Sequence, residues 1–213
     1  MPGALQRANE LYPYVFHPSS VLALGILLLI HYEWREQSAD RSALWPRVGA
    51  FIGAGVLGFV PTAAFFFVGR SGLSSALGGS SWQLDEMVAS GVLIAAGTTW
   101  YLWKRYDWGA VVPDAMVTLA AVTVPYALLS PFWDISGHVI FALAPTLYLA
   151  LLDRRYLPLL AIPVLMVPNR VAVNAHTLAQ SVAGFVVAAV ITAGLYYLRT
   201  RPRAERSSGS AVS

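Results

Sequence analysis

Val48–Val68 reads Val-Gly-Ala-Phe-Ile-Gly-Ala-Gly-Val-Leu-Gly-Phe-Val-Pro-Thr-Ala-Ala-Phe-Phe-Phe-Val, twenty-one residues without one charged side chain. A helix needs about 20 apolar residues to cross about 30 Å of hydrocarbon, so this stretch predicts a membrane segment. Further apolar runs lie at Pro18–Tyr32, Met87–Trp103, Ala110–Ser130, Gly137–Leu152, Tyr156–Val167 and Leu178–Leu198. The whole chain agrees: 57% of its 213 residues are hydrophobic, 12% are charged, and the mean hydropathy is +0.59. Such a composition excludes an ordinary soluble domain and fits a polytopic membrane protein. Because lipid offers no partner for backbone polar groups, the expected fold is all-α, one transmembrane helical bundle. It has seven spans, or six if the short Tyr156–Val167 run does not cross.

Charge favours seven. With seven spans the connectors alternate sides, and Arg35, Arg41, Arg47, Lys104, Arg105, Arg154, Arg155, Arg199, Arg201, Arg203 and Arg206 share one face. That face holds eleven of the fourteen basic residues, leaving Arg7, Arg70 and Arg170 opposite. The positive-inside rule makes the richer face cytoplasmic, with the N-terminus outside and the C-terminus inside. Residues 1–200 form a single domain, and 201–213 are expected as a basic, disordered cytoplasmic tail. The net charge of +3 reads as a topology signal, with no basic-aromatic groove for nucleic acid. With no cysteine, disulfides, thiolate catalysis and Cys-ligated metals are excluded. Glycines 53, 55, 58 and 184, with Ala54 and Ala188, form small-residue faces for close helix contact. The Gly/Ser-rich stretch Gly69–Ser81, on the outer face, reads as a solvated linker or, by its length, as a mobile lid.

Two connectors on that face concentrate the polar chemistry. One is Asp134-Ile135-Ser136-Gly137-His138; the other runs from Asn169-Arg170 to His176-Thr177-Leu178-Ala179-Gln180. Ionisable groups at membrane depth are costly and so mark candidate sites. A Ser-Gly-His helix start offers free N–H groups, a hydroxyl and an imidazole to an anionic oxygen. Gly137 lets the backbone come close, and an arginine fork such as Arg170 grips phosphate in bidentate fashion. A second histidine, His176, serves as nucleophile or base if an acceptor fixes its other nitrogen. Gln180, four residues on, is expected on the same helical face. His17 shares this side of the membrane without a motif around it. Asp114, near the cytoplasmic end of its span, is expected to cap or pair rather than to react.

Ser136-Gly137-His138 and Arg170-(x5)-His176-(x3)-Gln180 resemble the second and third signatures of the lipid phosphate phosphatase (type 2 phosphatidic acid phosphatase) superfamily. The first signature, Lys followed by Arg-Pro, is missing, and Gln180 stands where an acidic residue is usual. Those departures match the fat storage-inducing transmembrane (FIT) family, whose two histidine motifs Asp134–His138 and His176-x-Leu178-x-Gln180-x-Val182-x-Gly184 resemble. The resemblance implies an integral-membrane hydrolase of phosphate ester or diphosphate bonds in lipid phosphates, isoprenyl diphosphates or fatty acyl-CoA, with a role in lipid metabolism or storage. It implies His176 as nucleophile, His138 as general acid, and Ser136, Gly137 and Arg170 as phosphate-binding residues. On this scheme Gln180 fixes the His176 tautomer and Asp134 orients one histidine; Arg70, on the same face, is either an interfacial arginine or a phosphate-binding replacement for the missing basic signature, and no cofactor or metal is needed. The expected partners are membrane lipids and a phospholipid, isoprenoid or acyl-CoA substrate, not nucleic acid. The expected location is a prokaryotic plasma membrane or endoplasmic reticulum, with the site on the non-cytoplasmic face. Two other classes compete: a rhomboid-like intramembrane serine protease built on Ser136 and His176, and a non-catalytic lipid-binding scaffold.

Overall fold

A computed structural model describes residues 3–68 and 82–209. Among these the chain is all-helical. The helices are α1 (Ala4–Val15), α2 (Pro18–Glu36), α3 (Leu44–Val68), α4 (Trp82–Arg105), α5 (Val111–Leu129), α6 (Gly137–Leu152), α7 (Ala161–Ala172) and α8 (Leu178–Gly209). Short 3₁₀ segments at Arg41–Ala43 and Arg154–Leu160 lead into α3 and α7. Each apolar run of the sequence becomes a helix or part of one. The linker 69–81, with Arg70 in it, lies outside the described residues.

Among the described residues, three helices are long and apolar enough to cross a membrane: Arg41–Phe67, Val111–Leu129 and Leu178–Arg199. A fourth crossing arises if Asn9–Val15 and Pro18–Glu36, bent by 43° at a short break, count as one. The sixth run is divided between a 3₁₀ segment and the 12-residue α7. At about 1.5 Å per residue α7 alone is only about 18 Å long.

Helix α6 is the axis of the bundle. Its sequence carries no charge after His138, and a helix apolar all round belongs inside. Ile140, Leu143 and Leu149 are accordingly buried, with α2, α5, α7 and α8 around them. Gly184 brings α8 close to the start of α6: a Cβ there would stand 2.9 Å from the Ser136 carbonyl oxygen. Helices α3 and α4 form a second close pair, in which a Cβ on Gly58 or Gly91 would collide with the other's carbonyl. Of the small-residue face on α3, Gly58 makes this contact, whereas Gly53 and Gly55 face open space.

The two ends of the bundle differ chemically. At one end the buried Glu33 carboxylate accepts from Trp103 Nε1 at 2.8 Å and from the Val111 amide at 2.6 Å. This ties α2 to the end of α4 and caps the otherwise unpaired first turn of α5. Gly109, with φ +129°, makes the turn beside it. Nearby, Asp114 pairs with Arg199 at 2.8 Å, joining α5 to α8; it pairs, as the sequence implies. Following α2, α4, α5 and α8 to their other ends leads to the histidines.

Candidate active site

The local sequence after α7 folds Arg170 and His176 together. Asn174 takes a left-handed conformation, φ 56°, which asparagine tolerates better than most residues. The Ala175 amide then donates to the Arg170 carbonyl and the Asn174 amide to that of Val171, both at 3.0 Å. These two bonds close a Schellman turn. The turn reverses the chain, so that the His176 amide also reaches the Arg170 carbonyl, at 3.3 Å.

The second connector meets it from the other side. Ser136 is the N-cap of α6, and no side chain caps that first turn. Its amides therefore form an electropositive end suited to an anion. Gly137 sits against the Tyr126 ring, where a Cβ would come within 2.8 Å; any side chain there would displace the ring. Asp134, just before, holds His176. The Nδ1 atom lies 3.1 Å from the Asp134 carbonyl oxygen and 3.6 Å from its carboxylate. With Nδ1–H donating to that carbonyl, the Nε2 lone pair is left for chemistry.

These parts line one cavity of about 550 Å³, whose polar wall includes His17, Asp85, Tyr126, Asp134, His138, Arg170 and His176. Arg170 is buried, and its Nε has no hydrogen-bond partner among the described residues. Burial pushes the His176 pKa below the ordinary histidine value; the Asp134 charge opposes this and the Arg170 charge adds to it. His17 is shifted the same way, by burial and then by Arg170. No group of three or more His, Asp or Glu residues among those described is arranged to hold a metal ion.

Five of the residues singled out in the sequence thus share the cavity: Asp134, Gly137, His138, Arg170 and His176. Two others have different positions from those expected. The Gln180 side-chain oxygen accepts from the Thr177 amide at 2.8 Å and hydroxyl at 3.1 Å, while the Thr177 hydroxyl accepts from the Gln180 amide at 3.2 Å. This is a capping box that starts α8. Because the helix begins only at Leu178, His176 precedes it and the four-residue spacing does not put the two on one face. Asp134, not Gln180, holds His176. Ser136 is fully buried and does not line the cavity; its hydroxyl has no partner among the described residues.

Three cavity residues carried no sequence signal strong enough to include them. His17 is the N-cap of α2, its Nδ1 accepting from the Ser19 amide at 3.3 Å. Its ring stands edge-on to that of His138 with centroids 5.8 Å apart. The His-Pro-Ser start of an apolar run was the available clue, since proline favours the first helical position. Asp85 enters from the first turn of α4 and shares a hydrogen bond with the Tyr126 hydroxyl. Nothing in the sequence spacing connects these two. No protein-family model, no curated protein and no solved structure matches this chain.

Proposed function

We propose that this protein is a membrane hydrolase that breaks phosphate ester or diphosphate bonds of amphiphilic, lipid-like substrates through a phosphohistidine at His176. Convergence of His138, His176 and Arg170 on one cavity at the N-terminus of α6 is the observation that carries this reading. An anionic phosphate placed there meets the buried Arg170 guanidinium and the first-turn amides, which stabilise charge on the equatorial oxygens. His176 Nε2 attacks phosphorus while Nδ1–H stays on the Asp134 carbonyl. The phosphorus–oxygen bond to the leaving group breaks as His138 passes it a proton. Water, deprotonated by His138, then releases phosphate from His176 and restores both imidazoles. The remaining wall suits positioning: Asp85 and Tyr126 offer a fixed hydrogen-bonding pair, and His17 packs on His138.

In the membrane, seven segments correspond to α2 through α8, with α7 lengthened by the preceding 3₁₀ segment. Basic connectors and the cavity lie at opposite ends of the bundle, so the positive-inside rule puts the cavity on the non-cytoplasmic face. A serine protease reading fits less well, because the Ser136 hydroxyl lies outside the cavity wall.

The test is purified protein in detergent given phosphatidate, an isoprenyl diphosphate and an acyl-CoA, with products identified by mass spectrometry. Release of phosphate or a phosphorylated fragment, lost in both His176→Ala and His138→Ala, is expected. Release that survives His176→Ala overturns the mechanism. Binding without turnover by the unaltered chain assigns a scaffold instead.

A further inference from the structure

Beside the polar cavity lies a second cavity of about 560 Å³, almost wholly apolar, between α2, α3, α4 and α5. Ile26, Phe51, Phe59, Phe66, Val92 and Met116 are among its walls. It exists because of the way α3 is held. The Gly58–Gly91 contact draws α3 onto α4, and α3 meets α2 only sparsely, which leaves a groove between α2 and the α3–α4 pair. Four residues, His17, Ser19, Leu84 and Val88, belong to both cavities. The polar chamber and the groove therefore adjoin at these four residues.

We propose that this groove holds the hydrocarbon chain of the same molecule whose phosphate lies against Arg170 and the start of α6, and that the α3 face at Gly55 limits the chain length accepted. The proposal rests on the phosphate-binding part of the hydrolase reading. A site of this shape, apolar over most of its wall with a few polar groups at one end, fits an amphiphile entered head to tail. Occupancy by an unrelated membrane lipid would not require the groove to adjoin the polar cavity. A substrate chain does, because it must pass from the phosphate to the groove within one molecule.

Gly55 is the position at which the groove can be filled selectively. It lines the groove, and a Cβ there would have no atom within 4 Å, so a side chain enters space rather than backbone. Gly58 and Gly91 cannot serve, because a Cβ on either would break the α3–α4 contact. Gly53, on the same helix, also faces open space but is not part of the groove, and so provides the control.

The experiment measures binding of non-hydrolysable n-alkylphosphonates, from butyl to hexadecyl, to the purified full chain and to Gly55→Phe and Gly53→Phe. Turnover of the matching alkyl phosphates is measured in parallel. Each methylene that enters the groove should tighten binding by up to about fourfold until the groove is full. Gly55→Phe should bind butylphosphonate as the unaltered chain does, which shows that the polar cavity is intact. It should lose about tenfold or more on the longest chains, while Gly53→Phe follows the unaltered protein. Partition of long chains into detergent cancels, since all three proteins are compared at the same chain length. Superimposable chain-length curves for the three proteins, or equal losses in both variants, overturn the groove assignment. The selective loss in Gly55→Phe without any phosphate release overturns the hydrolase and leaves the groove standing.

Discussion

Replacing Asp134 by asparagine separates two ways in which that residue acts on His176. The main-chain carbonyl at 3.1 Å survives the substitution, so the ring tautomer and orientation are retained. What is lost is the carboxylate charge, 3.6 Å from Nδ1. That charge matters most in the transition state, when attack on phosphorus leaves the imidazole positive. Coulomb's law at that distance, with an effective dielectric of about 20, gives about 4–5 kcal/mol. The Asp134 side chain is 34% exposed, however, and solvent screening reduces this to about 2 kcal/mol. The expected result is a fall of about thirtyfold in kcat with little change in KM. The assay is single-turnover phosphate release by Asp134→Asn beside His176→Ala, which should lose about a thousandfold or more. A variant as inactive as His176→Ala would show that the carboxylate itself takes part in bond making. Activity within twofold of the unaltered protein would show that it does not sense the developing charge at all.

Gln180→Ala should act on the helix rather than on the chemistry, with a cost of about 1 kcal/mol in stability from the lost capping box. Its thermal midpoint should fall while kcat stays within about threefold of the parent; a kcat as low as that of His138→Ala would refute the capping role. His17→Asn keeps a good N-cap for α2 but removes the imidazole facing His138, and should lower kcat/KM about tenfold without a matching loss of stability. Unchanged kinetics there would remove His17 from the site. The pH dependence has a defined sign: His176 must be neutral to attack, and burial holds its pKa below the usual value of about 6.5. On the acid side the rate should therefore fall with unit slope only below about 6.5, while the alkaline limb is set by His138, which must carry the proton it gives to the leaving group. Stability should decline on the same side, because below about 6.5 the unfolded chain binds a proton that the folded His176 resists, until the folded pKa is passed. Asp134→Asn should move the acid limb of the rate profile lower still, since the Asp134 charge raises the His176 pKa; a shift upward would contradict the electrostatic account.

The helices were legible because long apolar runs announce themselves by length and apolarity alone. Gly137–Leu152 appears in the structure with the bounds read from its hydrophobic run, and Gly184 packs closely on α6 as a small residue should. Asp134, His138, Arg170 and His176 were legible as well, since polar side chains at the ends of apolar runs have few other reasons to be there. Less visible was the N-terminal helix. Tyr12 and Asn169 dock α1 onto α7 through hydrogen bonds of 2.8 and 2.7 Å to the main chain of Ile162 and Asn9, partners about 150 residues apart or more. Glu33, which fastens the other end of the bundle, is equally silent in sequence.

The residue types and their order, by themselves, determined that the chain forms apolar helices and that two of the junctions between them carry histidine, arginine and aspartate. Only the tertiary structure decided which of those side chains meet. A helix that starts two residues after His176 turns Gln180 into a cap, and the packing of α6 on α8 buries the Ser136 hydroxyl away from the cavity. His17 and Asp85 arrive from helices remote in sequence, and Tyr126 from the last turn of α5. Spacing along a chain fixes neighbours only within a continuous helix, and this site is assembled where helices begin and end.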